Sequence, residues 1–261
     1  MIPTYINIVG VGVSAINMDQ TLETVSRWIA ERKAKYIICR DVHGLILCQK
    51  DDELRRMHND AGLVTPDGMP LVWLLRKAGY THVSRVYGPD LMLMLARKTG
   101  YRHYFYGGAP GIPERLAKML KSKFPSIEVA GTYSPPFRPL SAEEDEKLTA
   151  LIRNSQPDIV WVGLGTPKQE RWMASHVSRL NGTVLIGVGA AFDFHAGTIR
   201  QSPRWVQHRG FEWLFRLIVE PKRLWRRYFT VIPLFMLHAF LQATGLKKYS
   251  LGDHHDKNPG L

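Results

Sequence analysis

At 261 residues the chain can hold one large domain or two small ones around a sizeable core. Its 45% hydrophobic and 22% charged residues are those of a globular protein, not a disordered one. A formal net charge of +12 narrows the partners to nucleic acid, an anionic membrane or phosphorylated small molecules.

The first sixteen residues are apolar but lack a basic leading region and a cleavage site. They predict a strand over 5–13 rather than a signal peptide. Asp19 can cap the helix that follows, which carries Leu22, Val25 and Ile29 on one face. Residues 35–39 predict a strand, 45–54 part of a helix, 62–64 a short strand and 69–77 a helix. The two cysteines, Cys39 and Cys48, are too few for a disulfide framework and lack metal spacing, so they read as buried thiols in a cytosolic setting.

The second half is more regular. Residues 101–106 predict a strand ending in Gly107-Gly108, and 112–124 a helix entered through Pro113. Strands at 127–133, 159–162 and 184–188 alternate with helices at 142–155 and 169–180. Strand, glycine turn, helix, repeated, is the βαβ pattern. It predicts an α/β fold with a mainly parallel sheet and flanking helices, a Rossmann-like core whose ligands bind past the carboxyl ends of the strands.

Beyond residue 200 the character changes. Trp205, Phe211, Trp213, Phe215 and Trp225 interleave with Arg204, Arg209, Arg216, Lys222, Arg223, Arg226 and Arg227, and an apolar stretch at 231–241 follows. Nucleic-acid binding uses the same residue types. The spacing of Arg209, Arg216 and Arg223, seven apart on one expected helical face, and the adjoining apolar stretch favour an anionic membrane surface instead. That stretch is too short to span a bilayer, which needs about 20 apolar residues.

The chemistry concentrates in the turns. Gly10-Val11-Gly12 fits a loose dinucleotide pattern, but the next helix begins too late for a pyrophosphate loop. In Thr65-Pro66-Asp67-Gly68-Met69-Pro70 the carboxylate sits where a strand meets a helix. Asp67 is there either a helix cap or a general base that takes a proton from an acceptor hydroxyl. Gly163-Leu164-Gly165-Thr166-Pro167-Lys168-Gln169-Glu170 combines close backbone approach, a helix N-terminus and a lysine, a set suited to a phosphorylated ligand. The turns at Gly107-Gly108, at Tyr133-Ser134-Pro135-Pro136-Phe137 and from Gly187 through Gly189 to Phe192 and Asp193 lie on the same expected edge. No Asp-x-Asp pair and no His or Cys cluster with metal spacing occurs, which favours neutralising a leaving diphosphate with cations and helix N-termini.

Together with Arg40-Asp41-Val42-His43-Gly44, Tyr106-Gly107-Gly108, Glu212-Trp213-Leu214-Phe215-Arg216-Leu217 and Glu220-Pro221, these stretches resemble the WecG/TagA/CpsF family (glycosyltransferase family 26) over about residues 5–230. The resemblance implies a compact α/β fold and inverting, metal-independent transfer from a UDP-sugar without a cofactor. The acceptor it implies is a sugar on undecaprenyl diphosphate, at the cytoplasmic face of the bacterial plasma membrane, in exopolysaccharide, teichoic acid linker or common antigen synthesis. It implies an α/β catalytic domain over 1–199 and a helical membrane-docking appendage over 200–250; residues 251–261, polar and without periodicity, are expected to form a disordered tail. The family's catalytic aspartate corresponds to Asp67. UDP contacts are expected from Gly107, Gly108, Tyr133, Gly163, Gly165, Thr166, Pro167, Lys168, Gln169, Glu170, Gly189, Phe192 and Asp193. Acceptor or sugar contacts are expected from Arg40, Asp41, His43, Thr65 and Gly68, and membrane or diphosphate contacts from Arg209, Arg216, Arg223, Arg226 and Arg227. Many members carry a Thr-x-Asn motif where this chain has Arg40-Asp41-Val42-His43, a variant that resembles exopolysaccharide-type members and makes UDP-glucose a candidate donor. A homo-oligomer in which one subunit's tail completes another's site is compatible with the resemblance. Two readings compete: a basic membrane-surface or nucleic-acid binding module using the tail, and an NAD(P)-dependent oxidoreductase resting on Gly10-x-Gly12. The turns clustered late in the chain disfavour both.

Overall fold

The computed structural model describes residues 4–252. In chain order the elements are β1 (Tyr5–Ile8), β2 (Val11–Ser14), α1 (Met18–Ala30), β3 (Lys35–Arg40), α2 (Val42–Cys48), α3 (Asp52–Asn59) and β4 (Leu63–Pro66). They continue as α4 (Met69–Lys77), α5 (Gly88–Ala96), β5 (Arg102–Gly107), α6 (Ile112–Lys123), β6 (Glu128–Tyr133), α7 (Ala142–Asn154) and β7 (Ile159–Gly163). The last are α8 (Lys168–His176), β8 (Val184–Gly187), α9 (Ala191–Ala196), α10 (Arg204–His208), α11 (Glu212–Val219) and α12 (Pro221–Ala243). Contacts divide the chain into two compact units. Unit 1 takes Met1–Asn17, Cys39–Tyr87 and Gln201–Leu261, and unit 2 takes Met18–Ile38 and Gly88–Arg200.

The βαβ pattern is realised as an α/β fold whose sheet has strand order β4-β3-β8-β7-β5-β6. Within unit 2 the pairs β3–β8, β8–β7, β7–β5 and β5–β6 are all parallel. Central strands of such a sheet are apolar on both faces, and Val160, Trp161, Val162, Leu185 and Ile186 are fully buried. The stripe on α1 is as expected, with Leu22, Val25 and Ile29 buried together with Trp28.

In unit 1 the run at 5–13 is not one strand. It turns back at Val9 (φ 45°) and Gly10 (φ 82°), so that β1 and β2 pair antiparallel with Tyr5 opposite Ser14. Asn7 Oδ1 accepts from the Gly10 N–H at 2.8 Å, which closes the turn. Gly12 therefore lies inside a hairpin, with its N–H bonded to Asn59 Oδ1 at 3.0 Å. No helix opens at Gly10-x-Gly12, and the dinucleotide reading loses its footing. The single helix expected through 45–54 is two, because Asp51 caps α3 by accepting from the Leu54 N–H at 2.9 Å.

The end of α12 is tied to this hairpin. Gln242 donates to Asn7 O at 2.9 Å and accepts from Val9 N–H at 2.8 Å, while Asn7 donates to Tyr249 O at 2.6 Å. Asn59 donates to Gly10 O at 3.1 Å and Leu251 O at 2.7 Å. Leu251, the first residue of the expected disordered tail, is thus buried, and 253–261 lie outside the described residues. Asn59→Ala would strand several buried backbone groups at once. It is expected to lower the unfolding free energy by about 2–3 kcal/mol, read from the urea midpoint at unchanged slope.

The seven-residue spacing of arginines does not make one face. Arg209 ends α10 before Gly210 (φ 77°), Arg216 lies in α11, and Arg223 lies in α12 beyond the non-helical Glu220 (φ −129°, ψ 57°). Apolar residues 231–241 continue the basic aromatic stretch as one 23-residue helix containing Pro233. Among the described residues no helix is long and apolar enough to cross a membrane.

Candidate active site

In unit 1, β4 is buried along its whole length and delivers Asp67 at its carboxyl end. The Asp67 and Gly68 N–H groups donate to Arg40 O at 2.9 and 3.3 Å, fixing the turn. Gly68, not Asp67, caps α4, and it does so without a side-chain hydrogen bond. The carboxylate of Asp67 is thereby released from the capping role that its position allows.

That carboxylate faces Arg85. Backbone pairing of Val86 N–H with Pro66 O at 2.9 Å lays this segment beside the end of β4. Arg85 Nη2 donates to Asp67 Oδ1 at 3.1 Å and to Glu212 Oε2 at 2.6 Å, and Nε donates to Asp67 O. Tyr87 OH donates to Glu212 Oε1 at 3.1 Å, and the guanidinium carbon of Arg85 lies 4.0 Å from the centroid of the Tyr87 ring. The three charged side chains are 17%, 21% and 14% exposed for Arg85, Asp67 and Glu212, so water screens them only partly. Burial pushes the Asp67 carboxyl up to about 6; Arg85 pulls against that, while Glu212 and Asp41 add to it.

Asp41 differs although it lies in the same unit. It caps α2, accepting from the Gly44 N–H at 3.2 Å. Burial would raise its pKa, but Arg40, His43, the Gly44 N–H and Arg227 outweigh that and hold it below the usual carboxylate value. Two carboxyls pushed in opposite directions have different uses, and the one held near neutrality suits a proton acceptor. Burial, followed by the charge of Asp67, pushes the Cys39 thiol up to about 12, which makes it inert. Thr65 is buried beneath the turn and His43 is half-buried in the first turn of α2. Gly44 has no room for a side chain, since a Cβ would lie 1.8 Å from Arg40 Nη1.

Unit 2 gathers the glycine turns at the carboxyl ends of β5, β7 and β8. Gly108 N–H donates to Gly163 O at 2.9 Å, which draws two of the turns together. Phe192, expected as a UDP contact, is fully buried and packs edge-on against Phe105, with Gly163 against its ring. The α8 helix starts after Pro167 with no side-chain cap; the Gln169 N–H donates to Gly165 O at 2.9 Å, which closes the turn, and Lys168 is exposed there. Gln169 and Glu170 are buried: Gln169 accepts from Gly189 N–H at 3.1 Å and donates to Glu170 Oε1 at 3.1 Å, while Thr166 donates to the same oxygen at 3.0 Å. These side chains hold the Gly165 and Gly189 turns in place. Tyr133 stacks on Tyr106 at 6.1 Å, and Tyr106 on Trp172 at 4.3 Å. Asp193 accepts from the Thr198 hydroxyl at 3.1 Å. Among the described residues no group of three or more His, Cys, Asp or Glu side chains could hold a metal ion.

Of the tail arginines, Arg209 and Arg226 are exposed, Arg216 and Arg227 are half-buried, and the side chain of Arg223 lies outside the described residues. Arg226 sits 5.3 Å from the Trp225 ring centroid and Arg227 5.0 Å from that of Tyr228. Trp205, Ile218, Phe229, Met236 and Phe240 are exposed in the same helices. Arg85, Tyr87 and the acidic role of Glu212 escaped the sequence reading. The signal was an arginine enclosed by apolar Val83, Val86 and Tyr87 before Gly88-Pro89, where a solvated charge has little reason to be.

The sequence model described as "Glycosyl transferase WecG/TagA/CpsF family" matches residues 6–249. The chain is similar to N-acetylglucosaminyldiphosphoundecaprenol N-acetyl-beta-D-mannosaminyltransferases of several bacteria. Identity is 30% to that of Bacillus subtilis (strain 168), covering 70% of each chain. It is 29% to that of Bacillus spizizenii (strain ATCC 23059 / NRRL B-14472 / W23), covering 80% of each. For the Staphylococcus aureus (strain NCTC 8325 / PS 47) protein it is 25%, covering 88% of this chain and 90% of the relative.

Proposed function

The chain belongs to the WecG/TagA/CpsF family of glycosyltransferases, and from that premise we propose that it moves a hexose or N-acetylhexosamine from a UDP-sugar to a sugar on a polyprenyl diphosphate. The observation that carries this reading is Asp67, a part-buried carboxyl at a strand end, free of capping and raised to about 6. Asp67 takes the proton of the acceptor hydroxyl as that oxygen bonds to the anomeric carbon. The bond from that carbon to the β-phosphate oxygen breaks on the opposite face, UDP leaves with the electron pair, and the configuration inverts. Asp67 then returns its proton to water.

The turns of unit 2 would hold the donor diphosphate through backbone N–H groups and Lys168, with Gln169 and Glu170 as their supports. Arg226, Arg209 and the exposed aromatic residues of the C-terminal helices would rest on an anionic membrane surface, making the enzyme peripheral at the cytoplasmic face. The names of the relatives make N-acetylmannosamine and a GlcNAc-diphosphoundecaprenol acceptor candidates. The Arg40-Asp41-Val42-His43 variant keeps glucose in an exopolysaccharide beside them.

Binding can be read by thermal stability in EDTA against UDP, UDP-glucose, UDP-N-acetylmannosamine, UDP-glucuronate, GDP-mannose and NAD. A UDP compound at about 100 times its Kd adds about 2.7 kcal/mol, or about 5 °C or more for a chain of this size. Stabilisation by NAD alone, or by no UDP compound, would remove the UDP-sugar reading.

A further inference from the structure

We propose that Glu212 is a positioning residue: by taking the charge of Arg85 it keeps Asp67 a competent base, and so ties the base to the placement of α11. The inference rests on the reading of Asp67 given above. Its ground is the geometry of one shared cation. Arg85 Nη2 is 2.6 Å from Glu212 and 3.1 Å from Asp67, so the closer partner of that nitrogen is the glutamate.

An aspartate paired with an arginine alone is a poor base, because the cation favours the ionised form by about 1–3 pK units. Here one guanidinium faces two carboxylates. The surplus negative charge, in a site where little water screens it, is relieved most easily by a proton on Asp67. Tyr87 completes the arrangement by donating to the other oxygen of Glu212 and lying against the guanidinium. Among the described residues, the charged or titratable groups that act on Asp67 and its neighbours come from several elements. Cys39 comes from β3, Asp41 from the α2 cap with Arg40, His43 and Arg227 around it, Arg85 and Tyr87 from the segment before α5, and Glu212 from α11. Glu212 is the one acidic group among them that comes from the C-terminal helices. Without the Glu212 carboxylate, Arg85 would be left to Asp67 alone and the base would weaken.

The test is the pH dependence of transfer from UDP-N-acetylmannosamine and from UDP-glucose to a short-chain polyprenyl diphosphate-GlcNAc, between pH 5 and 8.5, for wild type, Glu212→Gln, Tyr87→Phe and Asp67→Asn. Glu212→Gln keeps the shape and an acceptor oxygen but removes the charge. Its acidic limb is expected about one pH unit below that of wild type, with a plateau kcat several-fold lower and donor KM unchanged. Tyr87→Phe should shift the limb in the same direction by less. A limb unmoved in both variants, with or without a fall in rate, overturns the role of Glu212 while leaving Asp67 as the base. Wild-type turnover by Asp67→Asn overturns both.

Discussion

Asp67→Asn is expected to lose about 10²–10⁴-fold in kcat, the range that a positioned general base contributes, while binding UDP as the wild type does. The amide keeps the size of the carboxyl and still offers an oxygen to Arg85, so the loss is chemical rather than structural. If Asp67 is the base, the active form of the wild type is the carboxylate. With the carboxyl raised to about 6, the rate should climb as pH rises through that value and level off above pH 7. The stability dependence runs the other way. Folding raises this pKa above its ordinary value of 3.8, so the stabilisation linked to the proton is complete below about 3.8 and is lost as pH rises through about 6. Asp67→Asn removes that loss. It should melt no lower than wild type at pH 8, and a lower melting point there would show that the residue holds the fold together instead.

Gly107→Ala should have the largest effect on unit 2. Gly107 has φ 123°, where a side chain is strained, and a Cβ there would come within 2.6 Å of the Gly163 carbonyl carbon and 2.7 Å of its oxygen. Both obstacles are backbone and neither can rotate away. Strain of about 1–3 kcal/mol and overpacking of about 1–3 kcal/mol together give an expected loss of about 2–6 kcal/mol in unfolding free energy. If the neighbouring turns hold the donor diphosphate, the same change should also abolish the thermal stabilisation by UDP. Gly165→Ala supplies the contrast: its φ of 72° is strained as well, but a Cβ meets nothing within 4 Å. It should therefore cost markedly less stability than Gly107→Ala.

The parallel core was legible because each strand of unit 2 is a short apolar run ending in glycine, and period and punctuation agree. The hairpin at Val9-Gly10 was hidden because an uninterrupted apolar run gives no mark where it reverses; the reversal depends on Asn7, Gln242 and Asn59, the last two distant in sequence. The helix α5, which opens with Gly88-Pro89 and buries Leu91, Met92 and Leu95, went unassigned because its start looks like a turn. In the site, Asp67 stood out through its turn, whereas its partners Arg85 and Glu212 lie 18 and 127 residues from it and from Arg85 respectively, with no spacing rule to join them. The heptad of arginines misled for the opposite reason: the periodicity was present, but Gly210 and Glu220-Pro221 divide it among three helices.

The measurement closest to the central claim is the intact mass of a short-chain polyprenyl diphosphate-GlcNAc acceptor after incubation, in EDTA, with each UDP-sugar and either wild-type protein or Asp67→Asn. The account predicts that wild type adds one sugar residue to the acceptor from at least one donor, with one UDP released per sugar, and that Asp67→Asn leaves the acceptor almost unchanged over the same time. An acceptor of unaltered mass with every UDP-sugar, or equal conversion by both proteins, would contradict it.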